Sequence, residues 1–149
     1  MKRNEKTRGG HLQFYGFEPE DSISASFSKN TVSAGFPSPA DDFKETRISL
    51  DKSLIKNPDA TFFARVSGDS MIGAGLDDGD LLVIDRSLEP ENGKVAVCFI
   101  DGEFTVKRLE IKKDGLYLMP ENRKYKPLKV EDENNLLVWG IVTHVIKAL

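Results

Sequence analysis

Ser67-Gly68-Asp69-Ser70-Met71 is the stretch of this chain whose residue types and spacing suit nucleophilic chemistry. It follows a strand-like run, Thr61 to Val66, and precedes a polar turn rich in Gly and Asp, Gly73 to Asp80. A serine at such a strand-to-turn junction is exposed where the backbone is tight and amide N–H groups can converge, which is what an attacking hydroxyl beside an oxyanion site needs. Small Ser/Gly/Asp clusters are also ordinary turn chemistry, so the pentapeptide alone reads both ways. The hydroxyl further needs a base. Neither His11 nor His144 has an evident acidic partner, and no Gly-x-Ser-x-Gly elbow is present.

Lys107 is the other residue with the right chemistry. It lies in Glu103 to Ile111, inside a strand with apolar neighbours on both sides. A strand lysine is ordinarily a solvated face or edge residue. Held in an apolar site, however, its ammonium form is disfavoured and its pKa falls, so it can accept a proton near neutrality. A neutral lysine beside a serine hydroxyl is a complete nucleophile–base pair without histidine or aspartate. A substrate on the same chain is also conceivable. Val32 to Pro39 combines small residues, Ser33-Ala34-Gly35, with two prolines, Pro37 and Pro39. It reads as a linker, or as an extended segment whose small side chains admit a peptide bond to a tight cleft.

The elements that must position these residues are short strands. From Thr61 onward the predicted runs are Thr61–Val66, Asp80–Asp85, Lys94–Ile100, Glu103–Ile111, Leu116–Pro120, Leu128–Val130 and Leu136–Ile146, separated by Asp-Gly, Asn-Gly and Pro punctuation. That pattern predicts a mostly β fold, a compact antiparallel body rather than alternating βα units. Asp101-Gly102 marks a type I′ hairpin, since both residues tolerate positive φ. In that hairpin Glu103, Thr105, Lys107 and Leu109 share one face, and Phe104, Val106 and Arg108 the other. Residues 1–34 read as a flexible N-terminal arm: sustained periodicity is missing, and the apolar positions are too scattered to build a core. Pro39 to Phe43 carries a modest helix signal, and Arg47–Leu50 with Ser53–Ile55 read as a short strand and turn.

With 149 residues, 39% hydrophobic and 30% charged, the chain fits one soluble globular domain with a tail. No run approaches a membrane span and the N-terminus lacks a signal-peptide core, so a cytoplasmic protein is expected. The single cysteine, Cys98, sits in the apolar run Val95 to Ile100 and reads as a small buried hydrophobe. The two histidines have no ligand partners at zinc spacing, so no metal or cofactor is expected. A net charge of −3 speaks against wholesale nucleic-acid binding. The arm also has no room for a helix-turn-helix, so direct sequence-specific DNA binding is not expected.

Ser67-Gly68-Asp69-Ser70-Met71, Asp78-Gly79-Asp80-Leu81-Leu82 and Asp101 to Leu109 together resemble the self-cleaving serine–lysine peptidases of the LexA/UmuD family. The resemblance covers residues 35–149, the expected peptidase and dimerisation domain. Gly35 to Ala40 and Gly140 to Ala148 are similar to the UmuD branch. It implies Ser70 as nucleophile, Lys107 as base, and self-cleavage at Ala34-Gly35. The backbone amides of Asp69 and Ser70 are the expected oxyanion donors. Ala34, where UmuD typically has cysteine, is the LexA-like choice and compatible with cutting. The resemblance further implies an autocatalytic serine endopeptidase of the SOS response to DNA damage, stimulated by a RecA–single-stranded DNA filament. Its shortened homodimer would serve a UmuC-type Y-family polymerase in translesion synthesis. Two alternatives stand beside it: a non-catalytic interaction module, and a LexA-like repressor, which the absence of a visible DNA-reading domain disfavours.

Overall fold

Runs of Val, Ile, Leu and Phe broken by Gly-containing turns satisfy their backbone groups by pairing side by side, and here they do so antiparallel throughout. The computed structural model describes residues 8–9, 12–18, 24–28 and 45–149. These divide into two units, one from Met1–Phe17 with Asn57–Leu149 and the other Glu18–Lys56.

The larger unit holds one sheet built from β1 (Arg8–Gly9), β2 (Leu12–Gly16), β5 (Thr61–Arg65), β6 (Leu81–Asp85), β7 (Val95–Ile100), β8 (Glu103–Lys112), β9 (Gly115–Met119), β10 (Leu128–Lys129) and β11 (Leu137–Ile146). Its order is β1-β2-β5-β6-β11-β7-β8-β9-β10. Each strand expected from Thr61 onward is present within one residue of its expected ends. Asp101 (φ 50°) and Gly102 (φ 80°) form the expected turn between β7 and β8. The sheet curls on itself. Laid flat, β2 and β8 would stand five strand spacings apart, about 24 Å at ~4.8 Å each. Instead the Phe14 and Phe104 rings meet with centroids 4.7 Å apart.

Curling gives the sheet two buried apolar faces. Val97 and Val106 join Phe14, Ala64, Leu82 and Ile84 in one cluster. Ala96, Cys98 and Ile100 join Leu109, Leu118 and Ile141 in the other. The alternation along β8 is as expected, with Phe104 and Val106 toward the first cluster and Leu109 in the second. β11 is the seam, pairing with β6 on one side and β7 on the other, its register shifting between Val142 and His144 against β6 and between Val138 and Gly140 against β7. A Cβ on Gly140 would lie 2.5 Å from Ile84 Cγ2 and 3.2 Å from Arg86 Cγ. Gly140→Ala is therefore expected to destabilise the fold by about 1–3 kcal/mol, read as a lower midpoint in urea unfolding with little change in slope.

Two expectations need correction. Residues before 34 do contribute to a core: Leu12 and Phe14 are buried, and β2 pairs with β5. Burying each such side chain contributes roughly 1.5–3 kcal/mol. The period-two signal of Leu12-Gln13-Phe14-Tyr15 is short and flanked by glycines, so composition hid it. In the smaller unit the strand expected at Arg47–Leu50 is present as β4 (Glu45–Ser49), paired with β3 (Ser24–Ser28), but a helix, α1 (Leu50–Leu54), follows it in place of the expected turn. Ser49 caps it, accepting the Lys52 N–H at 3.4 Å, and Asp51 sits favourably in the first turn. The Pro39–Phe43 helix signal lies outside the described residues. Among the described residues no helix is long and apolar enough to cross a membrane.

Candidate active site

The serine turn is shaped by its own polar residues. Val66 N–H donates to Asp80 O and Gly79 N–H to Val66 O, both at 2.8 Å, which closes the neck of the loop between β5 and β6. Gly68 takes φ 95°, a conformation that favours glycine, and its N–H donates to Asp78 Oδ1 at 2.8 Å. Buried Met71 anchors the far side, its carbonyl accepting from Ala74 at 3.0 Å and Leu76 at 3.2 Å. Just beyond β11, Lys147 donates to the carboxylates of Asp77 and Asp80. That hydrogen bond, with the backbone bond from Asp77, holds the Asp80 carboxyl below its ordinary pKa despite burial.

β8 carries Lys107 to this turn. Its Nζ lies 3.0 Å from Ser70 Oγ, 2.9 Å from Thr105 Oγ1 and 3.0 Å from Val106 O. Burial lowers the Lys107 pKa below the usual lysine value. Among the described residues no carboxylate lies within ion-pair distance of this amine. The three neighbours suit either protonation state. As an ammonium the group donates to all three; as an amine it donates to Thr105 and Val106 and accepts the Ser70 O–H. The nearby Cys98 thiol is pushed up to about 12 by burial, opposed in part by Lys107, so it stays a neutral part of the core.

The turn and Lys107 line a cleft of about 330 Å³, walled by Leu12, Val66, Phe104 and Tyr125 among others. Among the described residues neither the Asp69 nor the Ser70 N–H has an acceptor. Ser70, Lys107, Asp69 and the cleft are thus brought together, while Ala34 and Gly35 lie outside the described residues. Among those residues no group of His, Cys, Asp and Glu side chains is placed to hold a metal ion.

A segment that sequence reasoning passed over also meets the serine turn. Pro120 to Tyr125, the loop after β9, lies along it as a strap. Glu121 N–H donates to Ser70 O at 2.8 Å, and Gly73 N–H donates to Glu121 O at 2.7 Å. Asn122 Nδ2 donates to Asp69 O at 2.9 Å, and Tyr125 O–H donates to the Asp69 carboxylate. That last bond raises the Tyr125 pKa. Arg108, the neighbour of Lys107, donates from Nε to the Glu121 carboxylate, tying the strap to the lysine strand. The signal in the sequence was Asn122 itself, a side chain able to donate and accept at once just after a strand.

The Peptidase S24-like family matches residues 26–143. Protein ImpA of Salmonella typhimurium is 42% identical over 128 residues, 85% of this chain and 86% of its own. Protein MucA of Escherichia coli is 41% identical over 119 residues, 79% of this chain and 81% of its own. Protein SamA of Salmonella typhimurium is 43% identical over 129 residues, 87% of this chain and 89% of its own.

Proposed function

Since the chain belongs to the Peptidase S24-like family, as a UmuD-like member of it, we propose that it is a self-cleaving serine–lysine endopeptidase cutting its own Ala34-Gly35 bond. The observation that supports this best is Lys107 Nζ at 3.0 Å from Ser70 Oγ, on an amine whose burial favours the neutral form. Lys107 takes the Ser70 proton as Oγ attacks the Ala34 carbonyl, and the Asp69 and Ser70 amides receive the negative charge on the carbonyl oxygen. Collapse of the tetrahedral species passes that proton to the departing Gly35 amine and leaves an ester between Ser70 and Ala34. Water, deprotonated by Lys107, hydrolyses the ester and restores Ser70. Because the substrate is tethered its effective concentration is high, and each chain turns over once.

The biological setting proposed with it is the cytoplasmic SOS response. A RecA–single-stranded DNA filament shifts the arm toward its cleavable conformer. The shortened homodimer, residues 35–149, then serves a UmuC-type Y-family polymerase in translesion synthesis. Mass spectrometry of the purified chain after incubation at rising pH tests the reading. A fragment beginning at Gly35 should accumulate faster as Lys107 loses its proton, and faster still with a RecA filament at neutral pH. Gly35→Glu should suppress it by filling the cleft beside the scissile bond. If no such fragment forms at any pH or with the filament, the chain is an interaction module and not a peptidase. Sequence-specific operator binding in a gel shift would instead indicate a repressor.

A further inference from the structure

The serine turn supplies the nucleophile, and the strap outside it holds the carbonyls of Asp69 and Ser70. Two consecutive strap residues seize two consecutive carbonyls: Asn122 Nδ2 donates to Asp69 O at 2.9 Å, and Glu121 N–H donates to Ser70 O at 2.8 Å. We propose that Asn122 is a positioning residue, whose side-chain amide sets the Asp69–Ser70 peptide so that the Ser70 N–H meets the developing oxyanion. This rests on Ser70 being the nucleophile.

The geometry follows from peptide planarity. In a trans peptide the C=O and the next N–H point in opposite directions. Fixing Asp69 O on the strap directs the Ser70 N–H away from the strap, where it has no acceptor among the described residues. The only other donor to Asp69 O among those residues is the Ile72 N–H at a long 3.4 Å, so Asn122 makes the firmer bond. The Asn122 amide cannot turn over without loss. Its Oδ1 accepts the Lys124 N–H at 3.0 Å, and reversing it would face donor to donor and carbonyl to carbonyl. The two segments are also built to touch. A Cβ on Gly73 would lie 2.6 Å from Glu121 O, so a side chain there would push the strap off the serine turn. Lys107 makes no bond to Asn122; its partners are Ser70, Thr105 and Val106. Removing the Asn122 amide therefore disturbs the oxyanion donor and leaves the base in its seat.

The test uses the full chain with Asn122→Ala and Asn122→Asp, and Ser70→Ala alongside. Asp keeps the size and the cap on Lys124 but has no N–H to give. Self-cleavage is followed against pH, and the ¹⁵N shift of the Ser70 amide, which responds to hydrogen bonding of the preceding carbonyl, is read by NMR. The expected result is a plateau rate lowered roughly 10- to 100-fold in both variants. In Asn122→Ala the midpoint of the pH profile stays in place and the Ser70 amide shift moves. An undiminished plateau overturns the proposal. So does a displaced midpoint with an unmoved Ser70 shift, because Asn122 then acts through Lys107. Loss of the folded spectrum in both variants overturns it as well, since Asn122 would be needed for the body itself. Cutting by Ser70→Ala sinks the underlying reading instead, whatever the Asn122 variants do.

Discussion

Ser70→Ala is expected to leave the chain intact under every condition that cuts the unaltered protein, a loss of roughly 10⁶-fold in rate. The alanine variant lacks the hydroxyl that forms the ester, and among the described residues the other hydroxyl bonded to the Lys107 amine is that of Thr105. Thr105 belongs to β8 and not to the turn whose Asp69 and Ser70 amides have no acceptor among the described residues. The fold should tolerate the change. Ser70 Oγ bonds only Lys107 among the described residues, so stability should move by no more than about 1 kcal/mol. Intact mass after prolonged incubation, paired with circular dichroism, makes the comparison. A fragment starting at Gly35 from a folded Ser70→Ala chain would remove Ser70 from the mechanism.

Lys107→Ala should cost about 10²- to 10⁴-fold and erase the rising limb of the pH profile. Burial disfavours the charged amine, so its folded pKa lies below the ordinary lysine value of 10.5. As pH rises through that folded value the neutral fraction grows, and with it the rate; above it the rate levels. The limb must therefore fall on the acid side of 10.5. Lys107→Arg sharpens the test, because a guanidinium keeps a positive charge and hydrogen-bond donors but does not give up its proton in this range. An arginine variant that cuts normally would show the position supplies charge and not a base. A rate that stays flat at every pH below 10.5 at which the chain remains folded would show that no buried amine titrates in the step.

Much of the body was readable in advance because its signals are local. Asp101-Gly102 must turn tightly, and the strands on either side alternate with period two, so the face carrying Lys107 follows from counting. The pairing of Lys107 with Ser70, 37 residues away, could not be derived from such counting and came through the family resemblance. Other features are tertiary. Leu12 and Phe14 look like isolated apolar residues in a glycine-rich stretch until β5 and Phe104 are folded against them. Asn122 looks like punctuation until its amide is found 53 residues away on Asp69. α1 was missed for a local reason: a single capping serine turned a stretch with weak propensity into one helical turn.

The place of β11 has a consequence for when the chain could first act. Of the strands in the sheet it is the furthest along the sequence, yet it stands between β6 and β7. Among the described strands, β5 and β6 are joined by backbone hydrogen bonds to β7 and β8 through β11, and the backbone of the serine turn reaches the lysine-bearing side otherwise through the strap after β9. Lys147, immediately after it, then secures Asp77 and Asp80 at the base of the serine turn. On the ribosome, at roughly 5–20 residues per second, the serine turn waits several seconds for that strand. Contacts so distant in sequence also close slowly. On the proposed mechanism, a nascent chain holds Ser70 and Lys107 before the strand that completes the sheet between them has been made.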